Sequence, residues 1–578
     1  MERKYLNLRI IIILAVFCAL FTVIGYRAVQ LQVFQSEFLA GKAQRQYDRV
    51  VTNTGKRGAI FDTNMNLLAS SVSVTSVAVR PQQMDDAGKS DNAVLLGKAL
   101  EMGSADVLKK MNQSGGFVWL KRKIGPQQAE AMRTLKLKGV ELIQEYDRFY
   151  PNKSIAAQTI GFTSIDGKGI EGIEFFCDTY LTPTPDSTRV IRDAHGNILR
   201  SITDEDVAEA EMTGHNVVLT LDKNIQYIAE EVLAETVEKF KAKSAMAIVM
   251  DPQTGAILAM AQAPVFNPNN LQNGDRAHWR NRNVADRFEA GSVMKIFSVA
   301  AALETGMVSP STQYYCENGA YTIGRKVVRD TKKLGTLTLQ EIVKVSSNIG
   351  VIKMSEEIGK ENLYAGLKNF GFGEKTGVEC PGESSGYLSQ PNVWSRMDVA
   401  AISFGHGMSV TPLQIATATC AIANGGMLMK PYLVKAIVDD DGEVVKEFRP
   451  VARQRAISNQ TAAMMNMILQ TVTQKGGTGV AAAIKGYNVA GKTGTAHKPE
   501  NGSYGSRYIS SFVGFAPAEN PAVVILVMVD EPGTAYFAAT VAAPAFNKIM
   551  QKTLYYMHIA PKYDFDGDMQ VARQQGNQ

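Results

Sequence analysis

Residues 10–26 carry no charge and are almost wholly apolar, with Arg9 before them and Arg27 after, a length at the short end of what crosses a bilayer. The run exceeds the apolar stretch of an ordinary cleaved leader, and no small-x-small cleavage site follows it. An uncleaved signal anchor over residues 10–30 is therefore expected, with 1–9 as a cytoplasmic N-terminus. Arg3, Lys4 and Arg9 on one side are matched by Arg27, Lys42 and Arg45 on the other, so loop charge leaves the orientation open. Residues 45–212 then mix short β-rich runs such as 72–79 with helical stretches such as 91–102. Within them, Arg57-Gly-Ala-Ile-Phe-Asp-Thr-Asn-Met-Asn-Leu-Leu-Ala69 reads as two short strands joined by a polar turn.

A second pattern begins near Asn216-Val-Val-Leu-Thr-Leu-Asp222 and leads into an apolar-periodic helix from Lys223 to about Phe240. The runs 245–251 and 256–261, separated by Pro-Gln-Thr-Gly, predict a hairpin. Helical patterns fill the middle. Three strands follow at 486–496, 508–516 and 522–529, the last nearly all β-branched or apolar, which suits a strand buried on both faces. A closing helix is expected over 541–557, with Thr540 as N-cap and Pro544 tolerated in the first turn. The reading is α+β: a β-rich domain over 45–212, then a domain over 216–557 with helices packed on an antiparallel sheet. A polar tail over 561–578 is expected to be disordered.

Composition excludes more than it assigns. A net charge of +5 on 578 residues gives no electrostatic footprint for nucleic acid. The five cysteines (Cys18, Cys177, Cys316, Cys380, Cys420) are scattered and odd in number, so no disulfide framework or zinc site is readable, and one or two bridges stay open. The six histidines show no H-E-x-x-H spacing. Neither a metal site nor a cofactor is expected.

Chemistry concentrates in three short motifs: Ser292-Val-Met-Lys295, Ser346-Ser-Asn348 and Lys492-Thr-Gly494. Ser292 follows Phe288-Glu-Ala-Gly291 and precedes a run of good helix formers, which places it at a helix N-terminus, where N–H groups and the helix dipole favour an oxyanion. Lys295 at i+3 returns to the same face, within reach of the Ser292 hydroxyl. An amine takes a proton from serine only when neutral, so its pKa must be lowered by burial or by a neighbouring cation, for which Lys492 is the candidate. Ser346 and Asn348 end a helix that opens with the capping-box pattern Thr338-Leu-Gln-Glu341. Lys492-Thr-Gly-Thr495 falls in a strand whose glycine marks a close approach, and at a sheet edge such a strand binds extended peptides.

The set S-x-x-K, S-x-N and K-T-G resembles the signature of penicillin-binding proteins and related serine β-lactamases. Arg287-Phe-Glu-Ala-Gly-Ser-Val-Met-Lys-Ile-Phe297 is similar to the family's extended nucleophile motif. Residues 57–69 resemble the motif that opens the non-catalytic pedestal, or dimerisation-type domain, of class B members, with Met65 where glycine is usual. Arg148-Phe-Tyr-Pro151, 156–161 and Gly169-Ile-Glu-Gly-Ile-Glu174 resemble the rest of it. The length leaves no room for a glycosyltransferase segment before the pedestal. The resemblance is strongest to the septal, FtsI-type enzyme, with the elongation-type relative as the near alternative.

The resemblance implies a D,D-transpeptidase that cross-links peptidoglycan in cell division. Ser292 would attack the penultimate D-alanine carbonyl, with Lys295 as base. Ser346 would relay a proton between the lysines and the leaving group, and the Asn348 amide would hold the substrate backbone. Lys492, Thr493 and Thr495, around Gly494, would meet the terminal carboxylate, and the N–H groups of Ser292 and Thr495 would form the oxyanion hole. Implied partners are D-Ala-D-Ala stem peptides, β-lactams, the membrane, a polytopic FtsW-like glycan polymerase and other division proteins. The catalytic domain would lie outside the cytoplasm, on the bacterial inner membrane. Ile402-Ser-Phe-Gly-His-Gly-Met-Ser-Val-Thr-Pro-Leu-Gln414 is similar to a segment usually reading G-x-G. There His406 is not expected to act as base, because the lysines cover the proton transfers. Ser347, Trp279 and Trp394 are read as packing or cleft-wall residues. From other classes, a β-lactamase would need a water-activating base for deacylation, and no placed glutamate motif follows Ser346; intact Ser292, Lys295 and Lys492 speak against an inert scaffold and leave a β-lactam sensor as an alternative.

Overall fold

The computed structural model describes residues 2–35, 48–52, 55–84, 86–113, 116–183, 187–192, 198–201, 213–272, 274–500 and 503–562. The chain divides into two compact units, residues 1–56 with 183–212, and residues 57–182 with 213–578. In the first, the helix Glu2–Val29 contains most of an apolar span, Ile11–Gln32, of mean hydropathy 2.3 and wholly unburied, long enough for one bilayer crossing. Asp48–Thr52, Ser187–Arg192 and Ile198–Ser201 form an antiparallel three-stranded sheet in this unit. Most of the expected tail, 563–578, lies outside the described residues.

The second unit opens with the expected hairpin, Ile60–Phe61 returning as Leu67–Val79. Met65 sits in its turn at φ 62°, a left-handed conformation that glycine adopts without steric cost, which is why glycine is usual there. Three motifs far apart in sequence converge under this hairpin. Arg57 Nε donates to Glu174 Oε2 at 2.7 Å, Arg148 Nε donates to Glu174 Oε1 at 2.6 Å, and Arg57 Nη1 reaches Asp178 at 2.6 Å. Glu174 is fully buried, and a carboxylate so placed is tolerated only because both oxygens are paired. Beyond it, Val118–Ile124 and Val140–Phe149 flank Leu67–Val79, and three helices cover their apolar face around Leu96, Val107 and Met132.

The strand Asn216–Leu219, expected to open the second domain, is shared. It runs parallel to Ile60–Phe61 on one side and antiparallel to Val434–Val438 on the other. Its short β-branched, apolar run is a strand's, and nothing local in it says which sheet it joins. The apolar cluster is continuous across this seam, joining Ile60, Tyr150 and Phe162 to Ile257 and Met260. The Asn269 side chain bonds both the N–H and the carbonyl of Tyr150, at 2.9 and 2.8 Å.

The domain that follows Asn216 is built on a five-stranded antiparallel sheet in the order Ile257–Ala263, Ser244–Met250, Val523–Asp530, Ser503–Ala516, Ala490–Glu500. Val523, Ile525, Val527 and Val529 face a cluster with the helices Lys223–Phe240 and Ala542–Tyr556, while Val524, Leu526 and Met528 face the larger core with the remaining helices. Both faces are therefore covered, as the unbroken apolar run requires. The last helix starts at Ala542 after Val541 with no side-chain cap, so Thr540 does not act as N-cap. The strand expected over 486–496 begins at Ala490 instead, because Gly486 at φ 88° turns the chain just before it. All five cysteines are free.

Candidate active site

Ser292 lies in a 3-10 turn, Gly291–Met294, that runs straight into the helix Lys295–Glu304. Two close approaches clamp this turn. The Gly291 N–H donates to Gly405 O at 3.1 Å, and a Cβ on Gly405 would lie 2.2 Å from Gly291 O. The edge strand Ala490–Glu500 presses from the other side, where a Cβ on Gly494 would stand 2.5 Å from Ser511 Oγ and 2.7 Å from Val293 Cγ2. Gly405, the first glycine of G-x-G, and Gly494 of K-T-G are thus demanded by contact with the turn that carries the serine.

The S-x-N segment completes the cleft. The helix Leu339–Val345 begins with the Thr338/Glu341 capping box and stops at Ser346, which takes a left-handed φ of 63°. Ser347 then caps the helix Asn348–Asn369 through the Gly350 N–H. A non-glycine residue in that conformation costs of order 1 kcal/mol, and here the surroundings hold it. Lys295 Nζ donates to Ser346 O at 2.6 Å, to Ser346 Oγ at 3.2 Å and to Asn348 Oδ1 at 2.7 Å. Lys492 Nζ reaches the same Ser346 Oγ at 3.0 Å, and Thr493 O at 3.0 Å. Ser346 is the hydroxyl between two buried amines.

Burial pushes Lys295 down to about 7, against a smaller upward pull from Asp330. Burial also pushes Lys492 well below its ordinary value, and positive Lys295 adds to this. Of the two expected causes, burial is the one that lowers Lys295, and the charge effect between the amines falls on Lys492. One expectation changes. Lys295 spends its contacts on the S-x-N turn, and the Ser292 hydroxyl makes no hydrogen bond among the described residues. A fully enclosed amine needs acceptors, and the turn supplies three of them.

Asp330, at the end of the hairpin Ala320–Ile323/Lys326–Arg329, is the site residue that sequence reasoning missed. It accepts from Ser347 Oγ at 2.6 Å, Asn348 N at 2.5 Å and Ile349 N at 3.2 Å. Its carboxylate caps the helix that carries Asn348 and fixes the turn. Ser347, read as packing, is the link to it. Thr493 Oγ1 pairs with Thr478 Oγ1 at 2.8 Å, and the Thr495 hydroxyl accepts from Ala538 N–H at 3.1 Å, which leaves the Thr495 proton to donate into the cleft. His406 Nδ1 meets Glu289 Oε2 at 2.9 Å and the Gly407 N–H donates to Glu289 Oε1 at 2.9 Å, so the histidine belongs to the wall that steadies the Ser292 turn. Trp279 packs against Phe162 and Phe266, and Trp394 against Tyr364 with its indole N–H on Ser389. Both are packing residues.

The penicillin binding protein transpeptidase domain family matches residues 245–551, and the penicillin-binding protein dimerisation domain family matches 52–219. The chain is 34% identical over 559 residues to a probable peptidoglycan D,D-transpeptidase PenA of Neisseria meningitidis, covering 96% of this chain and 94% of the relative. It is 33% identical over 549 residues to the peptidoglycan D,D-transpeptidase FtsI of Escherichia coli K12, covering 94% and 90%. Among solved structures, penicillin binding protein 3 of Mycobacterium tuberculosis, complexed with aztreonam, superposes with a TM-score of 0.67 at 28% identity, covering 88% of this chain and 98% of that one.

Proposed function

Since the chain belongs to the class B penicillin-binding proteins and is FtsI-like in both its dimerisation and transpeptidase domains, we propose that Ser292 is the nucleophile of its transpeptidation. The chain is a peptidoglycan D,D-transpeptidase that takes β-lactams as substrate mimics and serves cell division. The observation that carries the assignment of roles is the Ser346 hydroxyl, held between Lys295 and Lys492 at 3.2 and 3.0 Å.

In the first half-reaction the Ser292 hydroxyl turns toward neutral Lys295, gives it a proton and attacks the penultimate D-alanine carbonyl. The N–H groups of Ser292 and Thr495 receive the oxyanion, and losing one such donor typically costs on the order of 10² to 10³ in rate. When the C–N bond breaks, the departing amine needs a proton, and Ser346 passes one from the lysine pair. The acceptor amine then attacks the ester, gives its proton to the same pair and releases Ser292 by the reverse route. Asn348 Nδ2 and Oδ1 hold the substrate backbone. Thr493 and Thr495, with Lys492 behind them, hold the terminal carboxylate beside Gly494.

The single apolar N-terminal helix fits a single-pass membrane protein. The catalytic domain is placed outside the cytoplasm because the polymer it acts on lies there. The polymer's source is taken to be a polytopic, FtsW-like glycan polymerase alongside other division proteins. Intact-protein mass spectrometry of the full chain after benzylpenicillin, with peptide mapping over hours, tests the assignment. A long-lived adduct on the Ser292 peptide is expected. An adduct elsewhere sinks the nucleophile, rapid turnover indicates a β-lactamase, and absence of reaction indicates a scaffold.

A further inference from the structure

The hairpin Ala320–Ile323/Lys326–Arg329 stands at the rim of the cleft and carries an uneven charge. Arg325-Lys-Val-Val-Arg-Asp-Thr-Lys-Lys333 sets five cations against one carboxylate in nine residues, on a chain whose net charge is only +5. That carboxylate, Asp330, is spent on the S-x-N turn. Arg325, Lys326, Arg329, Lys332 and Lys333 are all exposed, and none makes a hydrogen bond or ion pair among the described residues. Neighbouring carboxylates are already engaged: Glu317 by Lys353 at 2.5 Å, Glu356 by Arg396 at 2.6 Å, and Asp398 by the Ser395 cap of its own helix. Like charges crowded on one hairpin repel, so this surface is held at a cost unless a counter-charge meets it.

The inner face of the hairpin is fixed. Ile323, with Tyr321 and Val328, packs on Ile352 and Ala400. Residues directly opposite one another in a hairpin share a face, so Thr322 with Val327 and Ala320 with Arg329 form the outer one, and all four are exposed. This outer face ends at the site itself, where Arg329 O accepts from Asn348 Nδ2 at 2.9 Å. From Arg329 to the tip at Arg325 is roughly 13 Å at a strand's rise. Lys332 and Lys333 continue the charge beyond Asp330. The patch is too long, and its cations too many, for the single terminal carboxylate that the cleft takes.

We propose that the hairpin is a docking surface for the glycan strand as a polyanion, meeting carboxylates along the polymer that lie outside the cleft and so holding the strand while one stem reacts. The inference rests on the transpeptidase reading and goes beyond its cleft. A strand substituted at intervals with carboxylate-bearing peptides meets several cations at once, and each later contact forms at the effective concentration set by the first. Rim cations of this kind act on encounter rate and salt dependence more than on the bonds made at the centre. A glycan strand is favoured over a membrane or an acidic protein because the charge begins at the amide that holds the substrate backbone, and because the substrate is itself such a polymer.

The test measures, by fluorescence anisotropy, the binding of labelled uncross-linked glycan strands and of a labelled single disaccharide pentapeptide. It uses the full-length chain in detergent with Ser292 blocked by benzylpenicillin, so that the cleft does not contribute. Strands are expected to bind about tenfold tighter than the single unit and to lose that advantage between about 0.05 and 0.5 M salt. Joint replacement Arg325→Gln, Lys326→Gln, Lys332→Gln and Lys333→Gln should abolish the advantage while penicillin labelling keeps its wild-type rate. Exchanging lysine and arginine at the same positions should preserve it. Strand affinity that is unchanged in the glutamine variant, by salt, or by amidation of the strand's carboxylates overturns the docking surface; the salt and amidation arms need no substitution. Polyglutamate or phosphatidylglycerol vesicles that bind the hairpin more tightly than the strands do overturn the choice of partner. A wild-type chain that penicillin does not label overturns the transpeptidase reading instead.

Discussion

Acylation of Ser292 should follow the protonation of Lys295. With its pKa at about 7 instead of 10.5, about half of the amine is neutral at pH 7, about 1% at pH 5 and about 90% at pH 8. Left at its ordinary value, the amine would be neutral in only about 0.03% of molecules at pH 7, so burial raises the supply of base roughly a thousandfold. The second-order rate constant for a fluorescent penicillin, followed by stopped flow, should rise with unit slope through pH 5 to 6, bend near 7 and flatten by 8 to 9. Asp330→Asn is the discriminating perturbation. Removing the carboxylate that pulls Lys295 upward must move the bend to lower pH. It also replaces a charged acceptor of three hydrogen bonds by a neutral one, loosening the Ser346 turn at a cost of about 1 to 3 kcal/mol, so the plateau should fall about tenfold or more. A lower plateau with an acid-shifted bend is the expected signature. A bend near 10 in the wild-type chain, or an alkaline shift in the variant, would refute the assignment of Lys295 as the base. The sign for stability runs the same way. Between about pH 7 and 10.5 the unfolded chain holds a proton on Lys295 that the folded chain has shed, so this group makes folding more favourable as pH rises across that window and less favourable below it.

Gly494→Ala should cut acylation by about a hundredfold or more with little loss of folded protein, because the new methyl must displace Val293 next to Ser292; parallel penicillin labelling and thermal unfolding measure the two. Thr495→Val removes a hydroxyl aimed into the cleft together with the acceptor of Ala538 N–H. It should raise KM for carboxylate-bearing donors by about tenfold more than for the corresponding amides, and an equal effect on both would remove Thr495 from carboxylate capture. Glu174→Gln leaves Arg57 and Arg148 partly uncompensated inside the pedestal. It should cost about 3 kcal/mol in urea unfolding, and a loss under 1 kcal/mol would contradict the role given to this network.

What the sequence made legible was local. The capping box at Thr338 and Glu341, the unbroken apolar run of Val523–Asp530 and the helix after Asp222 each follow from a few neighbouring residues, and each is present in the structure. The three motifs, residue by residue, also meet in one cleft. What escaped is long-range. Asp330 has no motif around it and reaches the site only because a hairpin folds back beneath the helix N-terminus. Asn216–Leu219 reads as a strand whichever sheet it joins, and its place between Ile60–Phe61 and Val434–Val438 depends on residues far along the chain. Electrostatics escaped for the same reason. Spacing puts Lys295 near Ser292, but only the packed structure shows the amine fully enclosed and turned toward Ser346.

That orientation links strain to chemistry. Ser346 stays in a left-handed conformation because Lys295 holds its carbonyl, both lysines hold its hydroxyl, and Asp330 anchors the two residues that follow. On the proposed mechanism, the groups that secure the turn are the groups that move protons. A charged Lys295 has three hydrogens for three acceptors and grips the turn fully; a neutral one gives up a hydrogen and gains the lone pair that Ser292 requires. Deprotonation therefore activates the base and loosens its hold on Ser346 in one step, which frees the Ser346 hydroxyl to turn toward the leaving group. The resting contacts of Lys295 with Ser346 and Asn348 are on this account the protonated end of the cycle, and the unbonded Ser292 hydroxyl is its natural counterpart.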